Sequence, residues 1–145
     1  MATEPMQPAE SNGSSTPPST QRIVPMLAYR DAPKAIDFLS RAFGFEEKMR
    51  MDMPDGRVGH AELGLGGHII MLASVWDEGG LAAPFELPAA HCQIYCVVAD
   101  VDAHHERARA AGGTIVAAPA DQPYGMRMYR VNDPEGHRWI FATAL

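Results

Sequence analysis

Cysteine is scarce in this chain of 145 residues: Cys92 and Cys96 are the only two. On the strand that their surroundings suggest, residues four apart have Cα atoms about 13 Å from one another at ~3.3 Å per residue. That exceeds the ~7 Å reach of a disulfide. Both are expected to be free, buried core thiols, in keeping with a reducing compartment; metal ligation or catalysis is the alternative reading. Basic runs are missing as well. The 12 Lys and Arg are scattered among 18 Asp and Glu, for a formal charge of −6, which argues against the cationic face that a nucleic-acid backbone requires. No apolar stretch reaches the ~18–20 residues that cross a bilayer, and the amino-terminal segment lacks the charged-then-apolar order of a secretory signal. A cytoplasmic protein with neither membrane nor nucleic acid as partner is expected.

What is present suffices for a core: 46% of residues are hydrophobic and 21% charged, the balance of an ordinary globular domain. Residues 1–21 stand apart, dominated by Ser, Thr, Pro, Gln and Glu. Such a segment buries too little surface to offset its ordering entropy and is expected to be a disordered tail.

From Arg22 onward the pattern is regular. Residues 23–29 form a short apolar run, and Asp31 then caps a helix with Pro33 in its first turn. Ile36, Leu39 and Phe43 recur at helical spacing, broadened by Ala35, Phe38 and Ala42, until Gly44 closes the helix. Strands are expected over 45–53, 58–65 and 68–73, separated by the turns Pro54-Asp55-Gly56 and Gly66-Gly67. The unit is βαβββ.

The second half repeats it. Asp31 and Asp100, Ala42 and Ala111, Gly44 and Gly113, Asp52 and Asp121, Pro54 and Pro123, Gly56 and Gly125, Gly67-His68 and Gly136-His137, and Ala73 and Ala142 are all 69 positions apart, with no gap. The shared residues gather at a helix cap, helix ends and turns, where backbone geometry dictates residue type. The second helix, 101–111, is poorer in large apolar residues, with Ala103, Ala108, Ala110 and Ala111 suited to close packing. Residues 75–90, with Trp76, Gly79-Gly80, Pro84, Phe85 and Pro88, form a linker that serves as a lid or as a plain connection.

The tandem unit, the strand–Asp–helix opening and the closing Asp133-Pro134-Glu135-Gly136-His137 resemble the glyoxalase/bleomycin resistance protein/extradiol dioxygenase superfamily, the vicinal oxygen chelate proteins. Tyr124-Gly125-Met126-Arg127, leading into Asn132-Asp133-Pro134, is similar to its mostly uncharacterised bacterial branch. The resemblance covers residues 22–145. It implies an α+β fold of two tandem βαβββ modules, 22–74 and 91–145, forming a curled mixed and antiparallel sheet with a concave cleft. It also implies a homodimer, and a range of roles from metal-dependent isomerases, lyases and dioxygenases to metal-free proteins that sequester drugs.

In the metal-dependent members, each module gives one ligand seven residues before the Asp that opens the helix and another four residues after the Gly of the final turn. Carried onto this chain, these positions hold Val24 and Gln93, and Met71 and Ile140. Only Gln93 offers a hard donor, and a catalytic divalent ion wants about three protein ligands, with imidazole or carboxylate among them. A one-residue slip brings in Trp139, Leu72 or Ile70, and Cys92 or Ile94, and rebuilds nothing. No metal and no cofactor are expected, and metal-dependent glyoxalase or dioxygenase activity is not.

Strand alternation and the repeat place Val24, Met26, Ile69, Met71, Gln93, Tyr95, Arg138 and Ile140 on the face of those four positions, with His60 and Glu62 from one module and Arg127, Tyr129 and Val131 from the other. Met26, Met71, Trp76, Gln93, Tyr95, Arg127, Tyr129, Arg138 and Ile140 are the expected ligand-binding residues, an apolar lining with a few polar groups. His60 and Glu62, two apart on a strand, are the catalytic candidates, a His general base beside a carboxylate. The competing reading is a solvated face or an ion pair with Arg57 or Arg127. His68 and His137, equivalent in the repeat, are expected to support turns, and His104-His105 to face solvent. Three functions follow: a binder or sequesterer of a small, partly apolar molecule, which is favoured; a lyase-, isomerase- or dioxygenase-type enzyme using His60 and Glu62 or a non-family metal site; and a regulatory or scaffolding dimer without a ligand.

Overall fold

The computed structural model describes residues 21–145, so the tail expected over 1–21 falls, but for Gln21, outside them. The first module runs β1 (Met26–Tyr29), α1 (Ala32–Phe43), β2 (Glu46–Asp52), β3 (Val58–Leu65), β4 (His68–Ser74); the second runs β5 (Gln93–Val97), α2 (Val101–Ala110), β6 (Thr114–Asp121), β7 (Met126–Asn132), β8 (Arg138–Ala144). Both helices start where the sequence says they should. The Asp31 and Asp100 carboxylates accept from the backbone N–H groups of Lys34 and Ala103, three residues on. Gly44 ends α1 at φ +83°, a left-handed conformation that glycine adopts without steric cost.

Each module completes its own sheet, in the orders β1-β4-β3-β2 and β5-β8-β7-β6. The first strand is parallel to the last in each, with Met26 opposite Met71 and Tyr95 opposite Ile140; the other pairs are antiparallel. This corrects the expectation of one curled sheet. Neither sheet is strongly curled, and among the described residues no strand of one module pairs with a strand of the other. Every ladder closes within its module and leaves β1, β2, β5 and β6 as edges.

The core lies between the two modules, on their helix sides. Leu27, Tyr29, Leu63, Ile70 and Leu72 from one sheet and Tyr129, Val131, Trp139 and Phe141 from the other join Ile36, Leu39 and Phe43 of α1 in a single buried cluster. The Phe43 ring centroid lies 4.8 Å from that of Phe141 and 5.4 Å from that of Trp139, distances typical of favourable aromatic pairs.

Polar groups fix this packing at both ends. At one end the Asp133 carboxylate is buried and accepts from the Tyr29 hydroxyl (2.6 Å), the Trp139 indole N–H (3.1 Å) and the backbone N–H groups of Glu135 and His137. The Glu135 carboxylate accepts from the backbone N–H groups of Arg30 and Asp31, and His137 donates through Nε2 to the Ala28 carbonyl, 2.8 Å. The turn at 133–137 is thus a clamp reaching from the second module onto the first. At the other end, Arg107 of α2 donates to the carbonyls of Arg41 and Ser40, which close α1.

His104, expected in solvent, is pinned beside Arg107. Its Nε2 donates to the Phe43 carbonyl (2.9 Å), so its Nδ1 accepts from the Tyr129 hydroxyl (2.6 Å), and its ring lies 4.0 Å from that of Phe141. The weak apolar content of α2 hid this, because the helix buries mainly Val101 and Ala108 and relies on polar anchors instead. The cysteines also divide: Cys92 is exposed just ahead of β5, and Cys96 is half-buried within it, its thiol pushed up to about 11 by burial.

Two outcomes test this account. Asp133→Ala leaves the Tyr29 hydroxyl and Trp139 indole unpaired in the core, and should cost about 3 kcal/mol or more in urea denaturation. Burial holds the His104 pKa below its ordinary value. The unfolded chain therefore takes up a proton, near pH ~6.5, that the folded chain resists. Stability should be complete above that pH and fall as the pH drops toward the depressed folded value, and His104→Gln should flatten this limb when unfolding is followed across pH.

Candidate functional site

Because the helix sides face each other, each sheet turns a second face away from the main core. On the first sheet, Met26, Met71, Glu62 and Met49 lie side by side across four strands, with Met51 beside His60 in the next row. On the second, Tyr95, Ile140, Arg130 and Ala117 form one row and Gln93, Arg138, Asn132 and Thr114 the next. Their edge strands are open, with Met26 67% exposed, Val97 65% and Tyr95 47%, whereas Met128, Ile140 and Ala142 at the centre of the second face are buried.

Met71, Gln93 and Ile140 lie on these faces, and Val24 lies two residues before the start of β1. The donors do not fit a catalytic divalent ion: one neutral amide, one thioether and two hydrocarbons. Among the described residues no group of three or more His, Cys, Asp or Glu could hold a metal.

The structure brings together His60 and Glu62, whose Nε2 and Oε1 are 3.4 Å apart. The alternative cationic partners are engaged elsewhere, Arg57 with Asp55 and Arg127 with Asp102 and Asp121. Arg127 and Tyr129, however, are not on the open face. Tyr129 is fully buried on the helix side beside His104, and Arg127 points toward α2. The reason is a bulge. β3 inserts Gly59 between the pairs Met51–His60 and Asp52–Val58, whereas β7 runs without interruption past Ala120–Met128 and Asp121–Arg127. The 69-residue offset therefore becomes 68 along the third strands, which makes Met128 the counterpart of His60 and Arg130 that of Glu62. The turn at 133–137 restores the missing residue. Arg130, Asn132 and Met128 were missed for this reason, although a lone glycine inside a strand pattern is the usual mark of a bulge.

Two of these residues carry unmet polar atoms, since Arg130 Nε and Asn132 Oδ1 are buried without a hydrogen-bond partner. Burial of a polar atom without a partner is costly and uncommon. Beside them Met126, Met128, Ile140 and Ala142 form a small apolar cluster of their own, and the Tyr124 hydroxyl contacts the Met128 sulfur.

Trp76 stands at the end of the first sheet, lining a hollow of about 510 Å³ with Met53, Gly59, Ala73 and Leu81. A second hollow, about 400 Å³, is lined from both modules by Ile23, Pro25, Ile69, Tyr95 and Val97. A third, about 440 Å³, adjoins Gln93 and Arg138. The segment 75–90 is tethered by Arg30, which pairs with Asp77 and Glu86, and by Phe85, whose N–H donates to the Glu135 carbonyl at 2.9 Å.

A family model described as glyoxalase/bleomycin resistance protein/dioxygenase superfamily matches residues 22–141. An uncharacterised protein of Mycobacterium bovis is 40% identical over 120 residues, covering 81% of this chain and 79% of that protein. The crystal structure of TioX from Micromonospora sp. ML1 superposes with a TM-score of 0.69 at 37% identity, over 86% of this chain and 99% of that one. A glyoxalase-related enzyme from Fulvimarina pelagi shares the fold, with a TM-score of 0.66 at 23% identity over 86% and 88% of the two chains. The chain belongs to the glyoxalase/bleomycin resistance protein/dioxygenase superfamily.

Proposed function

We propose that this protein binds or sequesters a small, partly apolar molecule on its open sheet faces, without the metal chemistry of its relatives. The observation that carries this reading is the donor set at the four inherited ligand positions, Val24, Met71, Gln93 and Ile140. An apolar wall with a few placed polar groups is the makeup of small-molecule pockets. Met26, Met71, Trp76, Gln93, Tyr95, Arg138 and Ile140 contact the ligand in this reading, with Met128 and Arg130 in the places first assigned to Tyr129 and Val131, and Arg127 set aside. Flexible methionines suit a surface that accepts more than one apolar shape. A second copy of the chain lies against these faces, a role supported by the exposed apolar side chains Met26, Tyr95 and Val97. The two unpaired thiols support a cytoplasmic setting.

A second reading, catalysis, rests on the 3.4 Å approach of His60 to Glu62 among methionines. There the carboxylate would hold the ring and the imidazole would take a proton from bound substrate.

Thermal denaturation against a panel of apolar and planar molecules tests the binder. A ligand present at ~100 times its Kd should raise the melting temperature by roughly 5 °C or more. Ile140→Glu should abolish the rise, while His60→Asn should leave it in place. A panel without any shift would overturn the proposal, and turnover lost in His60→Asn would move the assignment to the enzyme.

A further inference from the structure

Charge is distributed unequally between the two open faces. The first sheet presents Glu62 with its His60 partner. The second presents Arg130 and Arg138 in adjacent rows with Asn132 between them and no Asp or Glu on that face. Among the described residues neither arginine side chain has a hydrogen bond or an ion pair, in contrast to Arg30, Arg41, Arg50, Arg57, Arg107, Arg109 and Arg127, which all do. Arg130 Nε and Asn132 Oδ1 are, moreover, buried and unmatched. One is a donor attached to a fixed positive charge, and the other is an acceptor. They stand two residues apart on β7, about 6–7 Å between Cα atoms, and project from the same side of the sheet.

Unpaired groups of opposite hydrogen-bonding sense, held this close beside an apolar cluster, specify what would satisfy them. We propose that Arg130, Arg138 and Asn132 form a receptor for the carboxylate end of the ligand, a deepening that rests on the binding function proposed above. The guanidinium of Arg130 takes a carboxylate oxygen, its charge assisted by Arg138. The Asn132 carbonyl takes an N–H or O–H on the atom next to the carboxyl-bearing carbon. The apolar remainder lies over Met128, Ile140 and Tyr95. The class is a carboxylic acid with a neighbouring donor and a hydrophobic body, of which N-acyl amino acids are the simplest members.

The probe is N-decanoylglycine, compared by calorimetric titration with its neutral amide, N-decanoylglycinamide, and with N-decanoylsarcosine, which has the carboxylate but no N–H. The native protein should bind the acid at least about tenfold more tightly than either analogue. Arg130→Gln should bring the acid down to the level of the amide, and Arg130→Lys should retain part of the preference. Asn132→Leu should erase the distinction between the glycine and sarcosine compounds. Equal binding of acid and amide, or an equal loss of both in Arg130→Gln, overturns the receptor and leaves the binder standing. No binding by any of the three, together with a silent melting panel, overturns both. Dissociation of a dimer by Glu62→Gln, with no acid preference, also overturns the receptor and gives Arg130 to a second copy of the chain.

Discussion

The Asp133 carboxylate is the constraint on which the arrangement of the molecule depends. Buried at the module boundary, it gathers the Tyr29 hydroxyl from one module and the Trp139 indole and two backbone N–H groups from the other. Four donors around one charge compensate its removal from water, which a single bond would not. Glu135 and His137 extend the grip to the backbone of Arg30, Asp31 and Ala28. The first module's equivalent turn, Leu65 to His68, is one residue shorter and has no acid. The clamp is therefore one-sided, and it decides which sides of the two modules meet. With the helix sides buried together, both opposite sheet faces are left for something else.

What those faces can do is set by substitution rather than by architecture. The family's fold is present, but the positions that the resemblance assigns to metal ligands hold no imidazole or carboxylate, and fold alone does not restore a function. In their place stand a valine, a methionine, a glutamine and an isoleucine, flanked on the second sheet by Arg130 and Arg138, which pair with no acid among the described residues.

Much of the fold was legible because glycines, caps and apolar periodicity report local geometry. Asp31 and Asp100, Gly44, and the turns at Gly56 and Gly125 all stand where the repeat put them. That the two modules form separate sheets was not legible, since no residue pattern says whether two modules share a ladder. Nor was the facing of β7. One bulge at Gly59 reverses alternation along the rest of β3, so carrying the repeat across it turned Arg127 and Tyr129 the wrong way and concealed Arg130 and Asn132. His104 was hidden for a different reason: its burial comes from Phe43 and Tyr129, remote in sequence, and not from the composition of its own helix.

The central claim is that coordination chemistry has left this member of the family and that recognition has taken its place. Elemental analysis of the protein, purified without chelators, tests it most directly. The account predicts nickel, zinc, iron and manganese far below about one atom per chain, and a melting temperature indifferent to added chelator. About one equivalent of such a metal, released by chelator with loss of stability, would contradict it.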